Sequence, residues 1–364
     1  VTALEPDRVF IDPLTQLRYL APDEYQFRKQ VLSLTRFFGQ TGSTVLFTSQ
    51  AGADADDDLQ FMADGVIDLD YADTGRTIAV PKFRGSATRA GEHTLRIHDD
   101  GIDVFPELEV GTGSAGFDPD PISTGVDELD DQLHGGIEPG TVTIISGPTG
   151  VGKTTLGAQF MEAAANRGER SAIYMFEETI ETFLHRSNAV DIPVESMRER
   201  GALTIESIEA LELSPQAFAH TVREDVLAHD TSMVMIDGIN GYGLSIRGGE
   251  DELRRRLHSL CRHLKELGVT VVLIDELSSV TGDFEVTEGG VSYLADNVIF
   301  LRHVEVSGEL RKVIGILKKR TSDIERTLRT FEITETGIDI GEPLTGFRGI
   351  LQGAPEWADT PPDR

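Results

Sequence analysis

Short apolar, β-branched runs alternate along this chain with segments whose apolar positions return at helical spacing. In the first third, runs at 8–14, 43–49, 65–72, 76–83, 94–97 and 102–105 predict strands. Between the first two, Tyr25, Phe27, Val31, Leu34 and Phe38 are separated by charged residues, which predicts a helix over 23–38 that Gly42 ends. The acidic stretch 54–58 reads as a solvated loop. Beyond residue 123, strands are expected at 141–146, 171–176, 202–208, 232–236, 269–274, 297–304, 311–317, 328–333 and 338–340. Helices are expected at 155–166, 182–189, 215–229 and 250–267. A short helix should follow Ser123 and Thr124, with either hydroxyl as its cap. Residues 278–290 lack periodicity and read as a loop. Alternating strands and helices predict an α/β fold, a mostly parallel sheet with helices on both faces.

The pattern occurs twice. Val9-Phe10-Ile11-Asp12 matches Val234-Met235-Ile236-Asp237, and Thr44–Phe47 matches Thr270–Leu273. Ala63-Asp64 matches Ala295-Asp296, and Lys82-Phe83-Arg84 matches Lys318-Lys319-Arg320. Gly101–Val104 then matches Gly337–Ile340. The offset drifts from 225 to 236 while the order is kept, as a tandem duplication with small insertions requires. Residues 1–106 therefore read as the back half of a first copy and 107–122 as an acidic linker. Residues 123–340 read as a complete second copy, and 341–364 as a tail that packs on a neighbour or is disordered.

Charge changes the picture. The formal net charge is −29, from 62 acids against 33 bases, and seven of those bases are lysines. Acids spread over the whole chain suit solubility at very high salt, where their mutual repulsion is screened. The same charge opposes a nucleic-acid partner. No apolar run is long enough to cross a membrane, and no leader is recognisable, so a cytoplasmic location is expected. The one cysteine, Cys261, lies in a predicted helix and reads as a small core residue. The histidines show no metal-ligand spacing; His258 and His263 share a helix but stand five apart.

The chemistry concentrates after the strand at 141–146. Gly147-Pro148-Thr149-Gly150-Val151-Gly152-Lys153-Thr154 fits G-x-x-x-x-G-K-[ST] between a strand and a helix, which identifies a phosphate-binding loop. Glycines let the backbone approach phosphate oxygens, and amides together with the helix start, including Thr155, form an anion cradle. Lys153 would reach the β/γ-phosphates of ATP, and the Thr154 hydroxyl would ligate Mg²⁺. Asp237, ending an apolar strand 84 residues after Lys153, is the second expected Mg²⁺ contact. Glu177 and Glu178 end another strand; one would activate the nucleophile and the other would raise its partner's pKa. Asp275 and Glu276 are secondary candidates. Lys318 and Arg320 alternate about Lys319, so both cations should face one target, a phosphate on a neighbouring subunit. Lys82 and Arg84 repeat the arrangement. The first copy's phosphate loop would lie roughly 70 residues before Val1, so the sequence is expected to be a piece of a longer protein.

Ser-Thr-Gly-Val-Asp-Glu-Leu-Asp at 123–130, the loop 147–154, Glu177-Glu178, the Asp237 strand and Lys-Lys-Arg at 318–320 together resemble the KaiC family of RecA-type ATPases. The acidic composition suggests a relative from a halophilic archaeon. The resemblance implies a RecA-like P-loop NTPase fold in tandem and a hexameric ring with ATP at subunit interfaces. It implies water or hydroxyl activation by Glu177 and Glu178, and contacts from Lys318 and Arg320 to the adjacent subunit's ATP. It also implies autophosphorylation at Ser292, although Tyr293 and Thr321 depart from the family pattern, whose glycine after Lys-x-Arg survives as Gly85 in the first copy. Three functions stay open: an oligomeric Mg²⁺-ATPase with or without autokinase activity, a nucleotide-dependent scaffold for an unidentified protein partner, and a DNA-associated motor.

Overall fold

The computed structural model describes residues 6–49, 57–72, 75–108, 116, 118–246, 249–277, 287–306, 308–345, 347–349 and 356–357. The chain divides into two units, Val1–Pro106 and Glu107–Arg364.

In the second unit, α3 (Asp127–Gln132), β7 (Val142–Pro148), α4 (Lys153–Asn166), β8 (Arg170–Met175), α5 (Ile180–Asn188), α6 (Val194–Glu199) and β9 (Leu203–Ser207) come first. Then follow α7 (Pro215–His229), β10 (Thr231–Asp237), α8 (Ile239–Leu244), α9 (Gly249–Glu266) and β11 (Thr270–Leu277). The strands β12 (Asn297–Val306), β13 (Glu309–Lys319), β14 (Arg329–Thr334) and β15 (Gly337–Pro343) complete the sheet. Its order is β15-β14-β13-β12-β7-β11-β10-β8-β9, with the six strands from β12 to β9 parallel and the last three antiparallel. A two-residue pair, β16 (Phe347–Arg348) with β17 (Glu356–Trp357), stands apart from it.

Central strands are covered on both faces, so β7 is buried at every position and reads as an unbroken apolar run. Along β10, Met233 and Met235 pack into one core with α4, while Val234 and Ile236 pack into the other with α7 and α9. Burial pushes the thiol of Cys261, on α9 in the second core, up to about 12.

The first unit contains β1 (Arg8–Ile11), α1 (Glu24–Gln40), β2 (Thr44–Phe47), α2 (Asp57–Met62), β3 (Gly65–Ala72), β4 (Gly75–Phe83), β5 (His93–His98) and β6 (Gly101–Phe105). Strands β1 and β2 pair in parallel, Val9 opposite Val45, as β10 and β11 pair Val234 opposite Val271. The antiparallel sheet β3-β4-β5-β6 repeats β12-β13-β14-β15 in register: Val66 faces Lys82 as Val298 faces Lys318, and Leu95 faces Val104 as Phe331 faces Ile340. Among the described residues, no helix is long and apolar enough to cross a membrane.

The structure corrects several local expectations. Neither Ser123 nor Thr124 caps α3, whose cap position is Val126 with no side-chain bond. Both hydroxyls donate instead to the Asp130 carboxylate, which also accepts the Thr124 amide at 2.8 Å. The helices α6 and α8 were not expected; Gly241 and Gly243 mask α8 because glycine disfavours helix. Part of the acidic 54–58 loop opens α2, and the end of the 278–290 loop enters a 3₁₀ turn at Glu288–Tyr293; residues 54–56 and 278–286 lie outside the described set.

One latch recurs in both units. Arg320 donates its amide to Asp296 O (3.0 Å) and its guanidinium to the Asp296 carboxylate (3.4 Å); Arg84 does the same with Asp64 at 2.8 and 3.0 Å. Asp296 also accepts from Val142 N (2.9 Å) and Lys265 Nζ (2.6 Å), and its side chain is 9% exposed against 86% for Asp64. Removing a buried, multiply bonded carboxylate strands its partners, whereas an exposed ion pair contributes little. We expect Asp296→Ala to cost about 3 kcal/mol and Asp64→Ala under about 1 kcal/mol, read by hydrogen exchange of β12 and β3 amides. Equal losses would contradict the burial argument.

Candidate functional site

The strands β7, β8, β10 and β11 end on one edge of the parallel sheet, where such sheets offer a ligand crevice. The loop after β7 passes through Gly147, Pro148, Thr149, Gly150, Val151 and Gly152 into α4. Gly152 has φ +118° and stands at the helix start; a Cβ there would sit 2.5 Å from Ile333. A Cβ at Gly150 would meet nothing within 4 Å, so the loop's crest is open. Val151 is buried beneath it and anchors the turn.

Lys153 is buried. Its Nζ donates to Pro148 O at 2.9 Å and lies 3.5 Å from the Glu276 carboxylate. Burial lowers its pKa, and the charges of Glu276, Asp237 and Glu177 oppose that shift. The Thr154 hydroxyl donates to Asp237 Oδ1 at 3.2 Å, so the two expected Mg²⁺ contacts adjoin. Thr155 is buried behind them. Asp237 is buried too, and desolvation raises its carboxyl to about 6; the Thr154 bond and the Arg186 charge act the other way, Glu177 and Glu178 with it.

The adjacent acids part company after β8. Glu177 accepts from the Gly241 amide at 3.2 Å and lies over Gly238, where a Cβ would come within 2.9 Å of it. Glu178 pairs with Arg186 of α5 at 2.8 Å. Lys318 Nζ donates to Ser292 O (3.2 Å) and Ala295 O (2.7 Å), and Arg320 donates to Tyr293 O (2.8 Å). These cations do share one face, and within the chain that face meets the segment 292–296. Lys82 likewise donates to the carbonyls of Gln60 and Phe61. Lys319 points the other way, to Glu138 and the carbonyls of Leu133 and Gly136.

Sequence reasoning underweighted Glu276 and passed over Arg186, Gly238 and Gly241. A strand-end acid was the only signal for Glu276; glycines three positions apart at the start of α8 were the signal for the bed under Glu177.

The donor set fits a Mg²⁺-nucleotide. Carboxylates outnumber the single lysine, and among the described residues no group of three or more His, Cys, Asp or Glu could hold a metal by itself. A cation here would lean on Asp237, Thr154 and phosphate oxygens, as Mg²⁺ does.

A glycine-rich loop between a central strand and a helix, with a strand-end acid beside its Thr154, defines the class: a P-loop nucleotide-binding α/β domain. The family model described as "ATPase: KaiC" matches residues 1–109 and 122–345, and the chain belongs to that family of ATP-binding ATPases. The circadian clock oscillator protein KaiC of Acaryochloris marina is 24% identical over 368 residues, 98% of this chain and 69% of that protein. That of Parathermosynechococcus lividus is 24% identical over 359 residues, 96% and 65%, and that of Prochlorococcus marinus 26% over 361 residues, 96% and 71%. The chain thus spans about two thirds of the length of these relatives.

The Asp237 shift carries a stability sign. In the unfolded chain the carboxyl ionises near its ordinary 3.8, in the folded chain near 6. Ionisation therefore destabilises the fold as pH rises between those values, and the cost is constant above them. We expect Asp237→Asn to stabilise the nucleotide-free protein by about 2 kcal/mol at pH 7.5 and hardly at all at pH 4, by urea unfolding. A gain independent of pH would contradict the assignment.

Proposed function

We propose that the second unit binds Mg²⁺-ATP and hydrolyses its terminal phosphate within a homo-oligomeric ring, hexameric as the family resemblance implies. The observation that carries this reading is the convergence of Lys153, Thr154, Asp237 and Glu177 at one edge of the sheet. Residues Gly147–Thr155 form the phosphate cradle. Lys153 exchanges Pro148 O and Glu276 for phosphate oxygens. Thr154 and Asp237 hold Mg²⁺, which neutralises phosphate charge when bound. The Gly241 amide fixes one oxygen of Glu177, leaving the other to take a proton from the attacking water. Lys318 and Arg320, and Lys82 with Arg84 in the first copy, are assigned to a neighbour's ATP; reaching it requires release from their own-chain carbonyls. Ser292 is the hydroxyl we assign to autophosphorylation, and an unidentified protein partner would read the conformational change. The dispersed acidic surface supports a cytoplasm of high salt, and the net charge argues against a DNA motor.

The own-chain engagement of Lys318 and Arg320 favours a second reading, a nucleotide-dependent scaffold with little turnover. Phosphate release in molar KCl with Mg²⁺ separates the two. Glu177→Gln and Lys153→Ala are each expected to lower it at least about 100-fold, with phosphate found on Ser292 by peptide mapping. ATP-dependent assembly without release would overturn hydrolysis and leave the scaffold; release without label on Ser292 would remove the autokinase.

A further inference from the structure

The two acids that follow β8 are neighbours in sequence but are held by different elements. Glu177 rests on the start of α8, bonded to the Gly241 amide and lying against Gly238. Glu178 is drawn to α5, 2.8 Å from Arg186. The pairing nitrogen of Arg186 is shielded from water, and its guanidinium carbon stands 5.8 Å from the centroid of the buried Phe183 ring, which limits where it can go. Thr179, between the two acids and the helix, caps α5 through the Thr182 amide. The helix that carries Arg186 is thereby fixed to the strand end that carries Glu178.

We infer that Arg186 is a positioning residue that sorts this acidic pair, holding Glu178 to α5 so that Glu177 alone faces the attacking water. This rests on the ATPase reading above and narrows it: Glu178 is not a proton acceptor. Adjacent free carboxylates would repel each other and compete for the same water. A guanidinium charge 2.8 Å from one of them offsets both effects.

The test uses the 364-residue chain at saturating Mg²⁺-ATP. Arg186→Gln is expected to lower kcat about tenfold while KM and the affinity for a non-hydrolysable ATP analogue stay within about twofold. Arg186→Lys should recover most of the rate. Glu178→Gln leaves nothing to hold, so adding Arg186→Gln to it should cost under about twofold rather than a further tenfold. Weakened analogue binding would make Arg186 a phosphate contact and overturn the inference. A full tenfold loss on top of Glu178→Gln would overturn it as well, since Arg186 would then act independently of Glu178. An unsubstituted chain that releases no phosphate would overturn the ATPase reading and this inference together, a result distinguishable because it is read before any variant is made.

Discussion

A carboxylate buried at the end of β10, 3.2 Å from the Thr154 hydroxyl, sets the terms for the second unit. Burying a charge is costly, and here desolvation visibly opposes ionisation of Asp237. The arrangement persists because a rigid apolar strand leaves Asp237 nowhere else to go. The sheet order places one strand, β11, between β10 and the loop strand β7, and the end of β11 carries Glu276 to Lys153. Two acids on neighbouring strands thus meet the two polar side chains that open α4. A divalent cation and an anionic phosphate chain together satisfy such a set better than either alone.

Much of this was legible because it is local. The loop from Gly147 to Thr154 states its own conformation through glycine, lysine and threonine, and β10 announces its end with Asp237 after an unbroken apolar run. The repeat was legible because landmarks kept their order, and the paired registers of Val9 with Val45 and Val234 with Val271 give it a physical form. What sequence could not carry was partner choice over distance. Nothing near Lys153 points to Glu276, and nothing near Glu178 says that Arg186 turns back from the last turn of α5. Ser123 and Thr124 looked like caps because hydroxyls often are, yet Asp130 offered a charged acceptor and won them. Lys318 and Arg320 alternate as strand geometry requires, but the side they share faces their own chain in this structure.

The two units also show how one motif acquires different weight. Lys265 stands where Gly39 stands in the first unit, and its ammonium donates to Asp296. The aspartate of the latch is buried in the second unit and exposed in the first, while both arginines are partly exposed. Membership in the KaiC ATPase family accounts for the shared plan.

The measurement closest to the central claim is the stoichiometry of Mg²⁺-ATP binding by isothermal titration of the 364-residue chain. The account predicts one site per chain, lost in Lys153→Ala. Two sites per chain, or one that survives that substitution, would contradict it.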